Sequence, residues 1–223
     1  MSKLVPKVPG LPPVPGVNRR QQFSASTRKA LLDVAGALFA EQGYANTSLD
    51  AIVAGAEVTK GALYHHFSGK QALFEAVFTT VEAAGTKLIK DAMKGTKDPW
   101  AKSAAGLTAF LDVVRDPAYR RIVIQEGPAV LGYERYREHE ERSSYAVVED
   151  LVAGVVSSVG LTDDPEMVTT FAQIFFGGLQ SAGESVATAA DPEAAAARVE
   201  AVVGLILAAM QSLAGQDGLS LGD

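Results

Sequence analysis

No cysteine occurs among the 223 residues, which excludes a disulfide framework and a thiolate metal site. A thiol-free chain fits a reducing cytosol, and a cytoplasmic location is the expectation. Long apolar runs are missing too. The longest near the C-terminus, Ala201 to Met210, is ten residues, far short of the roughly twenty that span a bilayer. The first residues carry no apolar core of a secretory signal. Nor is there a Gly-rich phosphate loop after a strand, or a nucleophile–base–orienter set, so a helical enzyme is a poor alternative. Histidine is scarce, at three residues. His65 and His66 are adjacent, so on a helix they diverge by roughly a hundred degrees and cannot share a metal face. No third ligand follows at zinc spacing, and neither metal nor cofactor is expected. His139 lies in Glu138-His139-Glu140-Glu141, which reads as a solvated face without a role.

What is present is a helical chain with 48% apolar residues, ample for a core. Its net charge of −6 is unevenly spread. Residues 1–70 hold eight Lys/Arg against four Asp/Glu, while residues 71–223 hold twelve against twenty-two. A basic head on an acidic body suits a protein that meets nucleic acid with one end.

Thr47 to Val77 organises the chain. Thr47 is an N-cap candidate with Asp50 at the N3 position of a capping box, and Leu49, Ile52 and Val53 recur on one helical face. Gly55 and Ala56 keep the next turn small. Thr59 caps a second helix, Lys60-Gly61-Ala62-Leu63-Tyr64-His65-His66, closed by Phe67. Ser68 and Gln71 are spaced to cap a third. Two short helices and a tight turn describe a helix-turn-helix. Thr59, Lys60, Tyr64, His65 and His66 offer polar tips around the apolar anchor Leu63. Gly61 and Ala62 are small enough to let the backbone approach base edges. Lys70 adds a positive charge beside helix N-terminal N–H groups that favour an anion.

Thr59-Lys60-Gly61-Ala62-Leu63-Tyr64-His65-His66-Phe67 with Lys70, Leu73 and Phe74 resembles the DNA-binding signature of TetR/AcrR-type transcriptional regulators. Leu38-Phe39, Gly43-Tyr44, Thr47-Ser48 and Ile52-Val53 match its earlier part. The resemblance is specific over about residues 27–77 and one of layout beyond. It implies an all-α homodimer whose N-terminal head binds a double-stranded DNA operator. It also implies a small-molecule effector, bound in the larger domain, that changes the spacing of the two heads. The candidate DNA-binding residues are Thr47, Ser48, Thr59, Lys60, Gly61, Ala62, Leu63, Tyr64, His65, His66 and Lys70. Tyr64 and His66 are expected on phosphate because their positions match family contacts.

The domains expected are a Pro-rich arm at 1–25, the head at 26–72, a ligand-binding and dimerisation domain at 73–215, and a tail at 216–223. The arm's Lys3, Lys7, Arg19 and Arg20 could reach DNA or simply be solvated. Helix 1 is expected from Ser26 to Gly43, with Phe39 and Tyr44 in the core of the head. A long helix from Lys70 toward Met93 links head to body. Pro99 and Pro165 suit first turns of later helices. Glu126 inside the apolar run Ile122–Gly132 needs a partner or serves as a polar anchor in a pocket. Trp100, Phe110, Glu126, Tyr133, Tyr136, Phe171 and Phe175 are the candidate ligand-cavity residues, with ordinary core or surface as the other reading. The resemblance points to the last two helices as a dimer interface, through Phe176, Leu179, Val199, Val203, Ile206 and Met210. Intramolecular core would equally account for them. The expected function is a repressor released by an apolar or amphipathic molecule. A ligand-independent regulator or activator of the same fold is the alternative.

Overall fold

The computed structural model describes residues 15–214, and every regular element among them is helical. Helices α1 (Pro15–Asn46), α2 (Leu49–Gly55) and α3 (Lys60–His66) form the head, and α4 (Lys70–Ala92) runs from it into the body. The body continues with α5 (Pro99–Arg115) and a broken helix. This comprises α6 (Pro117–Tyr119), a π-helical segment Arg120–Glu126, and α7 (Gly127–Leu131). Helix α8 (Tyr133–Glu140) passes through a second π-helical segment, Glu141–Tyr145, into α9 (Ala146–Val159). Long helices α10 (Pro165–Thr188) and α11 (Pro192–Ala214) follow.

One local device starts four body helices. Asp98, Asp116, Asp164 and Asp191 each accept a first-turn backbone N–H in their side chains, and each precedes a proline that needs no N–H partner there. The head uses hydroxyl caps. Thr59 accepts from the Ala62 N–H (3.1 Å), as its sequence position suggested.

Three head expectations are corrected. Ser48, not Thr47, caps α2, accepting from the Ala51 N–H at 3.0 Å. That places Asp50 one position too early for a capping box. Thr47 is 1% exposed, and its hydroxyl donates back to the Gly43 carbonyl at 2.8 Å. Gly69 opens α4 without a side-chain cap, while Gln71 donates instead to the Val130 carbonyl at 2.8 Å. Helix α1 begins at Pro15 rather than Ser26. Proline is tolerated in a first turn, and nothing between Asn18 and Ala25 breaks a helix. At Gly43 the backbone leaves helical geometry (φ 82°, ψ 165°), as the C-cap reading anticipated, although a last turn continues to Asn46. The remainder of the expected arm and the tail lie outside the described residues.

The head is filled by Leu31, Ala35, Phe39, Ile52, Leu63, Leu73 and Phe74, all essentially buried. Phe74 stands edge-on to both Phe39 and Tyr44, each pair 5.2 Å between ring centroids. Each such ring contributes roughly 1.5–3 kcal/mol by burial alone. Farther along α4, Gly85 brings the body close. A Cβ there would lie 2.6 Å from Tyr119 Cε2 and 2.9 Å from Val113 Cγ1. The π-helical segment Arg120–Glu126 packs against α1, α4 and α10 together. It is therefore the shared wall between head and body.

Candidate functional site

Helix α3 has two faces, set by helical period. Leu63 and Phe67, four residues apart, point into the head core at 1% and 6% exposure, and the Arg28 guanidinium sits 5.3 Å from the Phe67 ring. Thr59, Lys60, Gly61, Tyr64 and His65 are exposed on the other side, as is Ser48 at the start of α2. Tyr64 is the most prominent large side chain, 57% exposed. Ala62, His66 and Lys70 are half-buried. Burial, with His65 and Arg28 nearby, pushes His66 below the ordinary histidine value. Thr47 and Leu63 must be removed from the candidate DNA-contacting set, since both side chains are buried and serve the fold.

Two cations of this face are held by the protein itself. Lys60 Nζ lies 2.6 Å from Asp50 Oδ1, tying α3 to α2. Lys70 Nζ donates to the Ala45 carbonyl (3.3 Å) and stands 4.4 Å over the Tyr44 ring. Its helix starts at Gly69 with no side chain spent on the first-turn N–H groups, an arrangement that favours an anion.

The body holds a cavity of about 1110 Å³ that opens to the outside. Phe110, Tyr136, Phe171 and Phe175 line it, whereas Trp100, Glu126 and Tyr133 do not. Tyr136 turns inward onto Phe78, 5.9 Å between rings. Tyr133, one helical turn away, is 73% exposed beside Arg137. Trp100 is half-buried in the first turn of α5, outside the cavity wall. Glu126 does find a partner, but in the head. Its Oε2 accepts the Tyr44 backbone N–H at 2.8 Å, while its Oε1 lies 3.6 Å from Arg121 Nε. It is an interdomain link rather than a pocket anchor.

Sequence reasoning missed the polar end of the cavity: Glu82, Thr86, Tyr119 and Glu140. A usable signal existed for Glu82, which falls on the same α4 stripe as Phe78, Gly85 and Ile89. A charge on an apolar stripe marks either a defect or a site. Burial pushes Glu82 and Glu140 above the ordinary carboxylate range, and their mutual field raises Glu82 further. His139 also needs correction, because it is not a solvated bystander. Its side chain is 18% exposed, with Nε2 3.5 Å from Glu75 Oε1 and Nδ1 3.9 Å from Glu82 Oε2.

The six residues expected at a dimer interface, Phe176, Leu179, Val199, Val203, Ile206 and Met210, all line the cavity. Leu179, Val199 and Val203 also pack against the core. The same two helices carry a different exposed set, missed in the sequence: Ile174 (66%), Val202 (59%) and Leu205 (71%), joined by Ile206 (43%). Ile174, Val202 and Ile206 belong to both lists, so the cavity opens onto this apolar face.

A short capped helix presenting Tyr64 and flanked by a basic helix start, above a helical body, defines a helix-turn-helix DNA-binding regulator. Comparison with known proteins agrees. Residues 31–77 match the family of bacterial regulatory proteins of the tetR type, and residues 100–210 match the tetracyclin repressor-like C-terminal domain. The transposon Tn10 TetC protein of Escherichia coli is 31% identical over 146 residues, covering 64% of this chain and 70% of that protein. The HTH-type transcriptional regulator AcrR of Shigella flexneri is 42% identical over 65 residues, 29% of this chain and 30% of that one. A TetR-family transcriptional regulator from Pectobacterium atrosepticum superposes with a TM-score of 0.71 at 28% identity, covering 85% of this chain and 96% of that one. The chain belongs to the TetR family of transcriptional regulators. It is a DNA-binding regulator and not an enzyme. Among the described residues no helix is long and apolar enough to cross a membrane.

Proposed function

We propose that this regulator is a homodimeric repressor that leaves its operator when a small apolar or amphipathic molecule fills the body cavity. The observation that carries the reading is the position of the Arg120–Glu126 segment. Val123 and Ile124 line the cavity, and Glu126, at the same segment's end, holds the Tyr44 N–H of the head. A ligand pressing on one side of this wall acts on the head through the other. A π-helical turn, with its looser hydrogen bonding, is a reasonable place for such a shift.

The exposed apolar face of α10 and α11 supports a second copy as its cover, since large contiguous apolar patches on soluble proteins mark interaction sites. Two copies would then present two α3 helices to a two-fold operator. Tyr64, Thr59 and His65 would meet the DNA, with Lys70 and the α4 start on phosphate.

Binding of purified protein to its own upstream DNA at two salt concentrations tests the head. Salt-sensitive binding that disappears in Tyr64→Ala/Lys70→Ala supports the reading, and equal behaviour of both proteins overturns it.

A further inference from the structure

We infer that the polar end of the body cavity seats the cationic head of an amphiphile, a protonated or quaternary amine carrying an apolar tail. This deepens, and rests on, the reading of the cavity as an effector site. The lining is overwhelmingly apolar, from Leu107 and Phe110 to Val155 and Phe175. Its charged members are three glutamates, Glu82, Glu140 and Glu184, and one arginine, Arg198. Glu184 and Arg198 are exposed, which leaves the interior with two carboxylates and no lining cation.

Of the two, Glu82 is incompletely satisfied. Glu82 is 4% exposed, and Ser143 Oγ donates to its Oε1 at 2.5 Å. Its Oε2 has only the His139 ring, at 3.9 Å, too far for a hydrogen bond. Glu140 is hydrogen-bonded by the Gln180 and Tyr136 side chains at the same end. The observation independent of the acids is Tyr119. Its side chain is 8% exposed and lines the cavity, yet its hydroxyl has no hydrogen-bond partner among the described residues. No fully sealed side-chain oxygen or nitrogen there lacks a partner. The Tyr119 hydroxyl therefore opens onto the empty volume, and burial, then the charges of Glu82 and Glu140, raise it above the ordinary phenol value.

An unpartnered oxygen and two like-charged carboxylates around one space are complementary to a cation, which attracts both acids and the phenol oxygen at once. An anionic head meets two buried like charges, and a neutral hydroxyl satisfies one acceptor while leaving the repulsion in place. Low local dielectric strengthens all of these differences. The apolar remainder of the cavity takes the tail.

The test is calorimetric titration of the full chain with three probes sharing one tail: decyltrimethylammonium, 1-decanol and decanoate. Expected is at least tenfold tighter binding of the cation than of the alcohol, a difference of about 1.4 kcal/mol, with decanoate weakest. In Glu82→Gln/Glu140→Gln the cation should lose its tenfold preference over the alcohol, and a thermal melt by circular dichroism reports separately that the variant is folded. Comparable binding of all three probes to the unaltered protein, or cation preference that survives in the variant, overturns the charge assignment but leaves an effector cavity. Absence of binding by every probe overturns both readings.

Discussion

Phe39, Leu31, Ile52, Leu73 and Phe74 in the head are wholly buried against one another. Phe110, Phe171 and Phe175 in the body instead border a space of about 1110 Å³. Both regions are helical and comparably apolar, so apolar content does not separate them. The difference is connectivity. In the head, α2 and α3 are short, closed by caps within a few residues, and both pack on the long helix α1, which also carries α4. In the body, the long helices α10 and α11 leave apolar side chains both on the cavity and on the outside. A filled core specifies one geometry, whereas a hollow one leaves room for a second component to complete it.

That contrast can be broken most forcefully at the aromatic positions. Phe74→Ala should cost about 3–5 kcal/mol, since it excavates a filled core, while Phe171→Ala, which enlarges an existing void, should cost about 1 kcal/mol or less. Urea-unfolding midpoints of the two variants decide it. Equal losses would mean that the cavity is closed in solution.

Next comes Gly85, where the body is tight rather than hollow. Gly85→Ala should destabilise by about 1–3 kcal/mol, because Tyr119 and Val113 leave no space for a methyl group. A neutral or stabilising result in the same unfolding assay would show that α4 and the broken helix are looser than drawn.

The smallest effect concerns pH. Burial raises Glu82 above the unfolded glutamate value of 4.5. A raised folded value means that the stability linked to its proton is fully present below 4.5 and lost as pH climbs through the folded value. Glu82→Gln should therefore melt higher than the parent near pH 7.5. The gap should close as pH falls toward 4.5. A gap independent of pH would place Glu82 in a better solvated setting than the cavity wall.

Much of the head was legible because its signals are local. Thr59 followed by a small, polar-tipped helix reads directly, and so do the four Asp-Pro starts once the helices are laid out. Thr47 and Ser48 show the limit. Both can cap, they are adjacent, and only the packing of Thr47 under Gly43 decides between them. Glu126 shows another limit. A charge in an apolar run announced that a partner was required, but the partner is a backbone N–H 82 residues earlier, and no pattern encodes that pairing. The π-helical segments have no diagnostic residue, and the reading of Glu126 as a pocket anchor rests only on an acid standing in an apolar run. For α10 and α11, apolar residues surround much of each helix, and periodicity alone could not say which faced the cavity and which faced outward.

The Gly43–Tyr44 corner bears on attempts to build chimeric regulators. A Cβ at position 43 would collide with Glu126 Oε1 and lie 2.8 Å from Arg121 Nη2, and the backbone there adopts φ 82°. Position 44 must keep its N–H for the Glu126 carboxylate. A transplanted head therefore fits this body only if it brings glycine at the first position and any residue but proline at the second. A chimera must also match the α1 surface against Arg120–Glu126 and the Gln71 contact to the Val130 carbonyl, so this corner is a necessary condition of compatibility and not the whole of it.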